Sequence, residues 1–182
     1  MIKKIFFTIF ILFNLLSILY LVSPVPALPD LTNSAKSNLP GDTVQLKNVS
    51  GYFTNLSRSE VITFYKANFN GLFRIHLNHP PERSKELYVD TIQSNYLEEY
   101  ILPFKESVFI NGFEWQNDPF TKTEKRITNK LIFQNKEYFA KITIKTFPTT
   151  IPQRLITFFF TEFAIIFIIL IFKRVFFNYK ND

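Results

Sequence analysis

The chain has no cysteine, which excludes disulfides, thiolate nucleophiles and zinc–thiolate sites together. Whatever folds here is held by its apolar core. Glycine is scarce, 4 in 182 residues, and too scattered for a phosphate-cradling loop. His76 and His79 are the only histidines, fewer ligands than a metal site needs, with Glu82 the one acid close by. No serine lies in a glycine-flanked nucleophile elbow. These gaps lead to the expectation of no cofactor, no metal site and more a binding protein than an enzyme. Positive charge is also thinly spread: residues 24–154 hold 16 Lys plus Arg against 13 Asp plus Glu. Nucleic-acid binding needs a concentrated basic face. The one basic cluster, Lys122–Lys130, is read as a solvated loop, with contact to acidic lipid headgroups or wall polymer as the alternative.

Phenylalanine, by contrast, is abundant at 23 residues, and six of them lie in one apolar stretch. Leu155–Phe172 reads LITFFFTEFAIIFIILIF, and 14 of its 18 residues are Leu, Ile or Phe. As a helix it would measure about 27 Å, close to the hydrocarbon thickness of a bilayer. Fourteen such residues favour insertion by about 4–8 kcal/mol, against about 3 kcal/mol for one carboxylate, Glu162. A transmembrane helix over 155–172 is expected, followed by a basic tail, 173–182.

A second apolar run, Ile5–Val22, follows the basic head Met1–Lys4. It is longer than a usual signal-peptide core, which favours a retained anchor. Val25 and Ala27 put small residues where a signal peptidase reads, so cleavage after Ala27 is the competing reading. Either way Lys3 and Lys4 at one end and Lys173, Arg174 and Lys180 at the other predict cytoplasmic termini, with residues 23–154 translocated.

Ser23–Pro40 holds four prolines and reads as a linker over 23–40. An extracytoplasmic domain is expected over 41–148. Thr43–Leu46 and Gly51–Thr54 are strand candidates. Ser57–Glu60 reads as a capping box opening a helix to about Asn70, with Gly71 as its left-handed stop. A strand is predicted over Leu72–Leu77. Asn78–Glu82 reads as the start of a second helix, predicted to run to Ile101 and stopped by Pro103. Asn111-Gly112 reads as a hairpin turn between Glu106–Ile110 and Phe113–Trp115. Lys130–Gln134 and the alternating Tyr138–Phe147 are the last strands. The fold class is α+β, an antiparallel sheet with two helices on one face, plus the two terminal helices.

Three sets of residues are candidates for function. Asn14 and Glu162 lie about 13.5 and 15 Å from the cytoplasmic ends of their helices, so an antiparallel pair would bring them level. A hydrogen bond between them is expected, with proton or ion transport in an oligomer as the alternative use of Glu162. Glu98, Glu99, Glu106 and Asp90 could supply a carboxylate pair for glycan cleavage. Helical spacing instead puts Glu98 and Glu99 on a solvated flank. Of the aromatics Phe104, Phe109, Phe113, Trp115 and Phe120, most are expected in the core; Trp115, with Phe113 and Phe120, is the candidate exposed anchor for a partner. The expected partners are membrane lipid and another envelope protein or a second copy. The functional expectation is a membrane-anchored binding or scaffolding module of a cell envelope, with an envelope enzyme acting on wall glycan or lipid-linked substrate as the alternative. The A+T-rich amino-acid bias suggests a bacterial source.

Overall fold

The computed structural model describes residues 1–25, 27–40, 42, 47–69, 71–80 and 94–178, with side chains described up to residue 175. The chain divides into two compact units. Met1–Pro24 with residues from Thr149 onward contributes two helices, α1 (Ile2–Val22) and α3 (Ile151–Asn178). Val25–Pro148 is a mixed unit built on an antiparallel sheet. The fold is therefore α+β with an apolar helix toward each end of the chain.

The sheet comprises β1 (Ser34–Lys36), β2 (Val49–Thr54), β3 (Ile75–His79), β4 (Tyr96–Leu102), β5 (Glu106–Glu114) and β8 (Ala140–Pro148). Their spatial order is β1-β2-β8-β5-β4-β3. A two-stranded hairpin, β6 (Leu131–Phe133) with β7 (Lys136–Tyr138), stands beside it. Strand alternation sends Tyr52, Tyr96, Tyr100, Val108, Ile110, Ile142 and Ile144 to one face, where all are buried. The helix α2 (Arg58–Asn68) covers that face through Val61 and Tyr65, with Phe69 just beyond its end. Its start is built as the sequence suggests: the Ser57 backbone N–H donates to Glu60 Oε2 at 2.8 Å. On the other face Phe53 stacks against Phe133 at 4.6 Å, so the hairpin covers part of it.

Several expectations need correction. Residues expected to continue a second helix form β4, and His79, at its expected start, belongs to β3. Tyr96 and Tyr100 satisfy a helical or a strand pattern equally; pairing of β4 with both neighbours decides it. The part of that helix over 81–93, and the strand over 43–46, lie outside the described residues. Asn111-Gly112 is not a turn. It lies within β5, with Gly112 opposite Tyr96 on one side and Ile142 on the other. The glycine is there for space: a Cβ would come within 1.9 Å of the Tyr96 ring. Gly71 likewise does not end α2 by a left-handed backbone; a Cβ there would meet Leu102 at 2.4 Å. Among the described residues, left-handed backbone after α2 falls at Phe73, φ 63°, in the turn before β3, which starts later than predicted. The proline-rich segment contributes to the fold as well, with Leu31 in the core and Ser34–Lys36 paired to β2.

Candidate functional site

Two polar constellations stand out, one in each unit. In the helical unit, α1 and the Ile151–Val175 part of α3 are each long and apolar enough to cross a membrane. Asn14 Nδ2 donates to Glu162 Oε1 at 2.9 Å. The same amide donates to the Phe10 carbonyl one turn back, which fixes its rotamer. Phe13 and Phe158 pack beside them, ring centroids 6.2 Å apart. One residue before Glu162, the Thr161 hydroxyl donates to its own helix at Thr157 O, 2.8 Å.

The same unit holds a residue that sequence reading missed. Arg154 is buried, and its guanidinium donates to Leu21 O at 3.2 Å, Ser23 O at 3.4 Å and Thr149 O at 2.8 Å. The first two belong to the C-terminal end of α1, where carbonyls lack helical partners and the helix dipole favours a cation. Arg154 thus caps α1 from α3. The start of α3 is closed by Thr150 and Gln153: Thr150 N–H donates to Gln153 Oε1 at 2.8 Å and Gln153 N–H to Thr150 Oγ1 at 3.4 Å. A lone arginine at the boundary of an apolar run was the available signal.

In the sheet unit the focus is Glu98, 1% exposed on the core side of β4. The β3–β4 register sets His76 opposite Tyr100 and Asn78 opposite Glu98, so His76 reaches Glu98 diagonally, Nε2 to Oε2 at 2.9 Å. Arg58, the first residue of α2, takes the other oxygen through Nε at 3.1 Å and through Nη2. The guanidinium lies over the Tyr96 ring at 4.8 Å, and the His76 ring stacks on Tyr100 at 4.4 Å. Buried Glu114 accepts from the Arg58 backbone N–H at 2.7 Å, placing a carboxylate at the N-terminus of α2. Glu99, on the opposite face, meets His79 at 2.8 Å.

This overturns the solvated flank expected for Glu98. Both its oxygens are occupied by protein groups, which suits locking α2 onto β3 and β4 rather than proton transfer. Asp90, named with it, lies outside the described residues. Among the described residues no three His, Cys, Asp or Glu side chains gather as a metal site. Core tyrosines surround the cluster: burial first, then the Glu98 charge, pushes the Tyr100 phenol up to about 12, and burial raises Tyr65 and Tyr96 as well.

The aromatic candidates do not share an exposed surface. Trp115 is 7% exposed and its indole N–H donates to Tyr138 O at 3.1 Å, with Lys130 Nζ 5.5 Å above the ring. Phe113 is buried too; Phe120, 45% exposed, reaches solvent, as does Phe104, 41% exposed and not in the core as expected. Trp115 is thus a half of the β6–β7 support and not an exposed anchor. Of the remaining carboxylates, Glu106 and Asp30 both line an open cleft of about 380 Å³ between the Val25–Asp30 segment and β2 and β8. Asp30 accepts from Lys36 Nζ at 2.8 Å and from Tyr52 Oη at 2.6 Å, and these bonds hold its carboxyl below the usual range.

No protein-family model matches this chain, and no curated protein or solved structure shows significant similarity to it.

Proposed function

We propose that the chain is a membrane-anchored binding or scaffolding module of a cell envelope, without catalytic activity. In this reading α1 and α3 cross the bilayer as an antiparallel pair. Both termini are cytoplasmic, and residues 23–154 are displayed on the other side. The observation that carries it is the Asn14–Glu162 hydrogen bond: each costly polar group of one apolar helix finds its partner on the other. The basic residues flanking the cytoplasmic ends, Lys3 and Lys4 with Lys173 and Arg174, support the orientation.

The same contacts favour retention of α1. Cleavage after Ala27 would strip Glu162 of Asn14 and Arg154 of the Leu21 and Ser23 carbonyls. The mass of the purified protein checks this directly. Anchoring itself is checked by carbonate washing of membranes and by protease added to sealed cells. The protein should stay in the pellet and lose its sheet unit to protease. Release by carbonate, or full protection from protease in cells whose outer surface is accessible, contradicts the reading.

One observation favours an envelope enzyme acting on wall glycan or lipid-linked substrate as a second reading. Asp30 and Glu106 line the same open cleft. Glycosidases need one carboxyl raised to act as acid; Asp30 is pushed the other way and would serve only as base or nucleophile. Asp30→Asn and Glu106→Gln variants that complement a deletion strain fully would remove this reading.

A further inference from the structure

Exposed apolar side chains gather at one end of the sheet. Leu72 is 71% exposed, Phe73 74%, Ile75 46%, Phe104 41% and Phe147 47%. The register explains the grouping. Ile75 pairs with Ile101, Ile101 with Ser107 and Ser107 with Phe147, one row across four strands. Phe104 sits in the β4–β5 turn at that end, and Gly71, which precedes Leu72, lies against Leu102, the last residue of β4. A soluble face would place polar residues here.

The chain also enters and leaves the sheet unit at this end. Val25 and Pro148 line one cleft there, and Pro148 pairs with Glu106, the first residue of β5. Three residues lie between Phe147 and Ile151. An extended chain spans at most about 3.6 Å per residue, so the covalent tether alone keeps Phe147 within about 14 Å of the start of α3. The basic segment Lys122–Lys130 follows the far end of β5, nine residues or about 30 Å along the strand.

Resting on the membrane-anchored reading, we propose that the Leu72–Ile75 and Phe147 end of the sheet is a lipid-contacting edge that beds in the headgroup–acyl boundary. Aromatic and aliphatic side chains suit that depth, about 5–10 Å into the interface. A second copy added along the β3 edge would cover Ile75 and Leu77 but not Phe147, three strands away. The same contact would fix the distance at which the remainder of the unit stands from the bilayer, leaving the β6–β7 hairpin and the basic segment for a partner.

The absence of native cysteine makes the test direct. The full chain carrying one nitroxide, at Leu72→Cys, Ile75→Cys, Ile132→Cys or Ile168→Cys, is reconstituted into vesicles of phosphatidylcholine and phosphatidylglycerol. Collision with oxygen, which enriches in lipid, is compared with collision with a water-soluble nickel chelate; circular dichroism checks that each variant is folded. The expected oxygen-to-nickel ratio is several-fold higher at 72 and 75 than at 132, and highest at 168. Ratios at 72 and 75 equal to that at 132, with 168 still in hydrocarbon, overturn the lipid edge while leaving the anchor intact. Shielding of 72 and 75 from both reagents assigns the patch to a protein partner and overturns it too. A water-like ratio at 168 removes the anchor and the edge together.

Discussion

Glu98 and Glu162 are both carboxylates in apolar surroundings, and each unit handles its own differently. In the sheet unit Glu98 meets Arg58 and His76, brought from a helix and an edge strand. In the helical unit Glu162 meets one amide, Asn14. A folded core can recruit a cation because its surface is close by: the Arg58 side chain is 37% exposed although Glu98 is 1% exposed. A helix crossing lipid has no such access, and a second charge there would add its own cost of about 3 kcal/mol. A neutral donor is the cheaper partner in that setting.

The largest expected effect tests the charged side of this contrast. Arg58→Met leaves Glu98 buried with only His76, and should lower stability by about 3–5 kcal/mol. Denaturant titration of the full chain in detergent measures it; a loss under 1 kcal/mol would mean Glu98 is hydrated. The packing around the cluster comes next. Gly112→Ala forces Tyr96 from beneath Arg58 and should cost about 1–3 kcal/mol, read as a shift in the same titration.

The dryness of that core also predicts a pH dependence. Tyr100, Tyr65 and Tyr96 hold their protons above the ordinary phenol value of 10.0 in the folded state. The unfolded chain therefore releases these protons first. Stability is intact below pH 10 and falls as pH rises toward 12, by about 1.4 kcal/mol per pH unit for each such group. Tyrosinate absorbance should rise together with unfolding by circular dichroism; absorbance rising well before unfolding would show that water reaches the phenols. The smallest effect belongs to the helices. Glu162→Leu should weaken their pairing by about 0.5–2 kcal/mol. Cysteines at Phe13 and Phe158, whose rings lie 6.2 Å apart, should cross-link more slowly in that variant. An unchanged rate would leave the Asn14 contact without energetic weight.

Legibility in the sequence followed the same divide. A helix has a fixed rise, so counting from the basic ends is enough to bring Asn14 level with Glu162. The α2 capping box is local and could be read from four residues. Glu98 was opaque because its partners are set by strand register, with Arg58 40 residues away in the chain and His76 22. Asn111-Gly112 misled because glycine serves two purposes, a turn or room for a neighbour, and only Tyr96 across the strand pair tells which. Trp115 misled because its polar neighbours suggested solvent, whereas the indole N–H is satisfied by a carbonyl of the β6–β7 hairpin.

The most direct test of the two-helix anchor is the side from which three positions can be reached. Lys4→Cys, Ile132→Cys and Lys173→Cys would each be exposed to a membrane-impermeant maleimide on intact cells whose cytoplasmic membrane is sealed and accessible. The account predicts labelling of Ile132→Cys at once, and of Lys4→Cys and Lys173→Cys only after permeabilisation. Equal labelling of all three before permeabilisation, or labelling at 4 or 173 with none at 132, would contradict it.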